Sequence, residues 1–313
     1  MTRRRRRRNR TLLAGVGVVL VLAVAIGLVV TRPWESGIPT GTPVPTVRYL
    51  GVSESDSPTS YAGTERFAQD IGGRPNVAIY YSQWPQPFQQ RFAATAAAHG
   101  AATLVQLDPE HISLAAIADG RYDGYLRQFG GQIKAFGHRV VLSFGHEMNG
   151  YWYTWANTQT DPATFVRAWR HMVDVVRATG ASNVTWLWTV NVVQTEQSPQ
   201  IPDPRAWWPG PSYVDWVGID GYYHSTSDTF SQVFGPTIVD VRRLTPAPIL
   251  ITETGAASSS VQQVAVKDVF AGVRTFGLLG FLWFDENKPG TRWHITSPQV
   301  FATFRQQAHR YYK

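Results

Sequence analysis

The chain is predicted to be an α/β protein, a (β/α)8 barrel, preceded by an N-terminal membrane span and a proline-rich linker. Eight short apolar or β-branched runs alternate with helical stretches from residue 47 to residue 313. Those runs are apolar almost throughout, as strands buried on both faces of a parallel sheet are. Eight strand–helix units in about 265 residues also match the size of a closed barrel. A doubly wound sheet is the competing architecture, but no strand is followed by GxGxxG or GxxxxGK(S/T), the phosphate-binding loops common in that class.

The strands are expected at VRYLGVS (47–53), NVAIYYS (76–82), ATLVQLD (102–108), RVVLSFG (139–145), VTWLWTV (184–190), VDWVGID (214–220), PILITET (248–254) and GLLGFLWF (277–284). Between them, Asp161-Pro162 offers an N-cap and a first-turn proline to FVRAWRHMVDVVRATG, and Ser297-Pro298 does the same for the last helix. Gly100 and Gly180 stop two helices. Val266, Phe270, Val273 and Phe276 form the stripe of a helix with one face on a sheet.

Composition narrows the chemistry. The 313 residues contain no cysteine, which removes disulfides, thiolate metal sites and cysteine nucleophiles. Apolar residues make up 43% and charged residues 16%, the balance of a folded chain, with a heavy load of 12 Trp, 13 Tyr and 15 Phe. The formal charge of +7 equals the seven arginines within residues 1–10, so the rest of the chain is balanced and a nucleic-acid partner is not expected.

Those arginines (segment 1–10) abut the apolar run Leu12–Val30, which is long enough to cross a hydrocarbon core of about 30 Å. By the positive-inside rule, segment 11–30 is a signal anchor with the remaining chain outside the cell membrane. Ala23-Val24-Ala25 resembles a signal-peptidase site and keeps a cleaved, secreted form open. Residues 31–46, with Pro33, Pro39, Pro43 and Pro45, read as a tether, and 47–313 as one domain, expected to act as a monomer.

In a barrel of this kind, chemistry sits at the C-terminal ends of the strands. The fourth strand runs into GHEMNGYWYTW and the seventh ends in ITETG, so Glu147 and Glu253 both reach the mouth. Two carboxylates brought together there suit glycoside hydrolysis, one donating a proton and the other attacking or activating water. A structural role in ion pairs or caps is the alternative for either residue alone. His146 reads as readily as a satisfied core histidine, and HExxH is absent, so no metal is expected. Trp152, Trp155, Tyr222, Tyr223, Trp283 and Trp293 follow predicted strands, where a sugar cleft needs flat faces.

HEMNGYWYTW, WWPGPSYVDWVGIDGYY, ITETG and LWFDENK followed by TRWHI together resemble glycoside hydrolase family 26, the β-mannanase family. The resemblance implies a (β/α)8 fold, a retaining mechanism and no cofactor. It implies Glu147 as acid/base and Glu253 as nucleophile. It further implies that His146 contacts the sugar and helps hold the acid, that Trp152 shapes a subsite wall, that Tyr222 hydrogen-bonds the nucleophile, and that Trp283 is a stacking floor. Asp220 is expected behind the nucleophile, with Asn149, Trp155 and Trp293 completing the substrate-binding set. Thr154 stands where many members carry proline, and Arg292-Trp293 match the family's late motif only loosely. The implied substrate is β-1,4-mannan, glucomannan or galactomannan; mixed-linkage β-glucan and β-1,3-xylan are the alternatives within the family, and a non-catalytic carbohydrate-binding protein the alternative outside it.

Overall fold

The computed structural model describes residues 48–194, 199–288 and 291–311; the predicted arginine-rich segment, membrane span and linker lie outside the described residues. Among the described residues no helix is long and apolar enough to cross a membrane. Eight parallel strands close into a barrel in sequence order: β1 Tyr49–Ser53, β2 Val77–Gln83, β3 Ala102–Asp108, β4 Val140–Phe144, β5 Val184–Asn191, β6 Trp216–Asp220, β7 Ile249–Thr254 and β8 Gly280–Phe284. The last strand begins three residues later than predicted, because Gly277 takes a turn conformation at φ 61°.

The helices are α1 Ala62–Ile71, α2 Gln90–Ala98, α3 Leu114–Ala118, α4 Asp123–Phe136, α5 Pro162–Ala178, α6 Phe230–Val233, α7 Gly235–Leu244, α8 Ser259–Thr275 and α9 Pro298–Tyr311. Asp161 caps α5 by accepting from the Thr164 N–H at 2.9 Å, as its sequence position predicts. The Ser297 hydroxyl instead donates to Gln299 Oε1. The fifth crossover departs from the predicted strand–helix rhythm. Its described residues form only two 3₁₀ turns, Pro204–Trp207 and Pro211–Tyr213. Pro202, Pro204, Pro209 and Pro211 remove the donors that an α-helix would need there.

Alternation along each strand sorts the core into two parts. Outward residues such as Leu50, Val105, Leu142, Trp188 and Phe281 pack under the helices, including the buried α8 stripe Val266, Phe270 and Val273. Inward residues fill the barrel in layers. At its N-terminal end Tyr49 and Trp216 lie 5.2 Å apart, with the Arg139 guanidinium 4.5 Å above the Trp216 ring and donating to the Tyr49 hydroxyl at 2.9 Å. Val77, Ile79, Leu104, Val141, Leu187, Leu250 and Leu282 form the apolar middle. Each such fully buried side chain contributes about 1.5–3 kcal/mol. Gly218 keeps the next level passable: a Cβ there would lie 2.5 Å from Thr189 Oγ1 and 2.7 Å from Thr252 Oγ1. Above it the interior turns polar.

Two irregularities aim the carboxylates. The β6–β7 register shifts after Ile219↔Ile251, so that Asp220 pairs with Glu253 and one extra residue, Thr252, stands on β7. Thr252 faces the interior, where its hydroxyl meets Asp220 Oδ1 at 2.5 Å, and the bulge turns Glu253 to the interior as well. After β4, Gly145 and Glu147 both have positive φ, 54° and 53°. Glu147 is a side-chain-bearing residue in the left-handed region, a conformation that costs about 1–3 kcal/mol and persists where the surroundings hold it. Its N–H donates to Thr189 O at 3.0 Å, tying the kink to β5.

Candidate active site

At the C-terminal mouth a cleft of about 980 Å³ is lined by Glu147, Glu253, Trp152, Tyr222, Trp293 and Phe284, with further side chains along its rim. One carboxylate oxygen each from Glu147, Asp220 and Glu253 lie within 4.8 Å of one another. Oxygens of Glu147 and Glu253 this close suit the roughly 5–5.5 Å carboxylate spacing of direct attack better than the wider spacing that admits a water.

The two glutamates are held differently. Glu147 accepts from Trp152 Nε1 at 2.8 Å and from Asn191 Nδ2 at 2.5 Å. Burial, reinforced by the Glu253 charge, pushes its pKa up to about 7; His146, Asn191 and Trp152 pull the other way. Glu253 accepts from two phenols, Tyr81 on one oxygen and Tyr222 on the other. Burial and the Glu253 charge raise both phenols well above 10, so they stay donors. One carboxyl thus keeps a proton near neutrality while the other sits between two fixed O–H groups. Asp220, fully buried behind them, is raised well above the usual carboxylate range by burial and then by the Glu253 and Glu147 charges. The three carboxylates could chelate a cation by position alone, but both oxygens of Glu147 and of Glu253 already accept hydrogen bonds.

Trp152 stands 42% exposed over the cleft, and Gly150 makes room for it, since a Cβ there would lie 2.7 Å from the indole. Trp293 packs 4.7 Å from Tyr222 on the opposite wall. Thr154, at the position of the expected proline, accepts from the His111 N–H at 3.2 Å and so links the loops after β4 and β3.

Five expectations are corrected. His146 does not line the cleft: it is 1% exposed, with Nδ1 on Asp108 Oδ1 at 2.8 Å and Nε2 facing the Tyr153 hydroxyl at 3.1 Å. Burial lowers its pKa, but the Asp108 charge and hydrogen bond outweigh that and carry it up to about 9, an imidazolium beneath Glu147. Trp283 is no stacking floor. It is fully buried and points outward from β8, edge-on to Phe304 at 5.6 Å, because Leu282 takes the inward position. Trp155 is 1% exposed, donates to His146 O and stacks on Tyr153 at 4.3 Å, a support for the loop. Asn149 is fully buried and clamps Asn191, accepting from its N–H at 2.9 Å and donating to its carbonyl. Tyr223 likewise turns away and donates to Asp268.

Sequence reasoning missed Tyr81, Asn191, Asp108 and Tyr153. The available signal was position: Asp108 and Asn191 are the last residues of β3 and β5, and Tyr81 lies two residues before the end of β2.

The sequence profile of "Glycosyl hydrolase family 26" matches residues 122–270. Endoglucanase H of Acetivibrio thermocellus is 28% identical over 256 residues, 76% of this chain and 28% of that protein. Mannan endo-1,4-beta-mannosidase A and B of Caldalkalibacillus mannanilyticus is 28% identical over 112 residues, 33% of this chain and 20% of that protein. This chain therefore spans well under a third of the length of either relative. Among solved structures, a modular endo-beta-1,4-mannanase from Cellulomonas fimi superposes with a TM-score of 0.63 at 16% identity, covering 84% of this chain and 70% of that one, a likeness of fold. The profile over residues 122–270 and the relative aligned along 76% of the chain agree in likening this protein, with its carboxylate pair at the ends of β4 and β7, to glycosyl hydrolase family 26.

Proposed function

We propose that the chain is a retaining, endo-acting β-glycan hydrolase, with Glu147 as acid/base and Glu253 as nucleophile. The observation that carries this reading is the approach of Glu147 and Glu253 to within 4.8 Å in unlike environments. Protonated Glu147 donates to the glycosidic oxygen as a Glu253 oxygen attacks the anomeric carbon. The leaving sugar departs with that proton, and a covalent glycosyl–enzyme remains. Glu147, now ionised, takes a proton from the incoming water, whose oxygen displaces Glu253 and restores the starting state. Tyr81 and Tyr222 hold the Glu253 carboxylate in place for both steps.

The substrate we favour is β-1,4-mannan, as glucomannan or galactomannan, supported by the motif resemblance and by the named mannanase relative. The coverage of Endoglucanase H gives β-glucan specific support as the second reading. Reducing-sugar release by the full chain from glucomannan, galactomannan, mixed-linkage β-glucan and β-1,3-xylan tests both. Mannans are expected to be cleaved at least about tenfold faster than the others, a difference of roughly 1.4 kcal/mol in transition-state binding. Faster cleavage of β-glucan or xylan moves the specificity, and inertness toward all four refutes the hydrolase reading.

We further propose that the chain is anchored by Leu12–Val30 with its barrel outside the cell membrane, where it acts as a monomer on extracellular polysaccharide. Full-length protein is then expected in the membrane fraction and its barrel open to protease added to intact cells. Recovery only as a shortened form in the medium would replace the anchor with a cleaved signal.

A further inference from the structure

A second group of ionisable residues lies at the seam where the barrel closes, apart from the reacting carboxylates. Glu54 directly follows β1 and Asp285 directly follows β8. His294 follows the short hairpin β9 Asn287–Lys288 with β10 Thr291–Arg292. One ligand atom of each lies within 4.8 Å of the others. Asp285 and Glu54 are 2% and 7% exposed, while the His294 side chain keeps 45% of its surface.

Glu54 is the unusual member. A carboxylate this deeply buried ordinarily accepts hydrogen bonds or pairs with a cation, since an ionised group out of water is costly otherwise. Among the described residues the Glu54 carboxylate has neither a hydrogen bond nor an ion pair, its only hydrogen bond being the one its backbone carbonyl accepts from Ser57 N–H, and Arg66 of α1 reaches it only through its field. Its immediate electrostatic neighbours include Asp285 and Asp56, both acidic. Asp56 beside it holds a buried unsatisfied oxygen: Oδ2 accepts from Gly63 N–H, while Oδ1 is buried without a partner. The two carboxylates converge. A Cβ at Gly63 would lie 2.6 Å from Asp56 Oδ1 and 3.0 Å from Glu54 Cδ, so glycine leaves the space that both face.

Asp285 is already oriented. Its Oδ1 accepts from Ile295 N–H at 2.5 Å, and its Oδ2 stands 3.2 Å from His294 Nδ1. That spacing is close to the edge of a tetrahedron with metal–ligand bonds of about 2.0–2.1 Å. Nδ1 can bind in the neutral ring with its proton on the solvent-facing Nε2.

We infer that Glu54, Asp285 and His294 form a binding site for a divalent cation of the zinc type, with Asp56 beside it. The imidazole nitrogen and the few oxygens favour such an ion over calcium, which takes 6–8 oxygen ligands, and over magnesium, which keeps an octahedral oxygen shell. Bound there, the ion ties the ends of β1 and β8 to the strand that returns from the hairpin. Lys288 and Trp293 of that region line the cleft, so the ion braces one wall of the site. Both the site and its test are independent of the glycosidase reading.

The test is calorimetric titration of the chelator-treated full chain with zinc chloride, with calcium and magnesium chloride in parallel. One zinc ion per chain is expected to bind saturably, and at about a hundredfold excess over Kd to raise Tm by about 5 °C. Glu54→Gln and His294→Ala are each expected to weaken binding at least about tenfold. Glu147→Gln, at the other carboxylate cluster, is expected to leave it unchanged. Absence of saturable binding by the unmodified chain overturns the inference without any variant. Undiminished affinity in both Glu54→Gln and His294→Ala overturns the location, and tighter binding of calcium or magnesium than of zinc overturns the class of ion.

Discussion

Glu253→Ala is expected to lower kcat by about 10⁴-fold or more on whichever polysaccharide the unmodified chain cleaves fastest, roughly 5.5 kcal/mol of barrier. The loss is large because no neighbouring group can replace the carboxylate. Asp220, the nearest candidate, is fully buried, and its Oδ1 is engaged by the Thr252 hydroxyl. The variant should still fold. Removing Glu253 frees the Tyr81 and Tyr222 hydroxyls, a cost of about 1–3 kcal/mol for each if left unsatisfied, but it also removes a charge that raises the pKa of both Glu147 and Asp220. A small anion entering the vacated space gives the decisive readout. Azide should restore turnover of an activated aryl glycoside and yield a glycosyl azide of inverted anomeric configuration, because one displacement then replaces two. Near-normal activity in the variant, or rescue with retained configuration, would sink the assignment of the nucleophile.

The barrel and its two glutamates were legible in the sequence for one physical reason: parallel strands under helices announce themselves as apolar runs, and the polar residues that end those runs mark the mouth. The same property hid the facing of the side chains. GLLGFLWF is apolar in every position, so nothing in it distinguishes the inward Leu282 and Phe284 from the outward Trp283, and the early turn at Gly277 removes even the count from the strand start. In NVAIYYS two adjacent tyrosines take opposite sides, Tyr80 under α2 against Phe92 and Tyr81 on Glu253. The loop after β4 is opaque in the sequence for a different reason. Asn149 and Trp155 have the composition of sugar ligands, yet they spend their hydrogen bonds on Asn191 and on His146 O, and only the folded backbone brings those partners together. The bulge that turns Glu253 inward leaves no trace in ITETG, since Thr252 is a good strand residue whether or not the register shifts.

Glu147→Gln should act selectively where Glu253→Ala acts on everything. Glutamine can hold the hydrogen bonds from Trp152 and Asn191 only in part and cannot deliver a proton, so kcat on polysaccharide is expected to fall by about 10²–10⁴-fold. With a dinitrophenyl glycoside, whose leaving group needs no proton, formation of the glycosyl–enzyme should proceed at close to the normal rate and only its hydrolysis should slow. A burst of dinitrophenol followed by a slow steady rate is the expected trace, and an equal loss on both substrates would remove Glu147 from the acid role. The pH dependence tests the same group a second way. A carboxyl raised to about 7 must be protonated to act, so polysaccharide hydrolysis by the unmodified chain should decline as pH rises through about 7. Its sign in stability follows from the same shift. Between the ordinary value of 4.5 and about 7 the folded chain holds a proton that the unfolded chain has lost, so this group's contribution is complete below that window and is lost as pH rises through it. Glutamine carries no such dependence. The Tm of Glu147→Gln relative to the unmodified chain should therefore rise across that window and level off above it, and a difference that stays flat with pH would show that burial and the Glu253 charge do not hold the Glu147 proton.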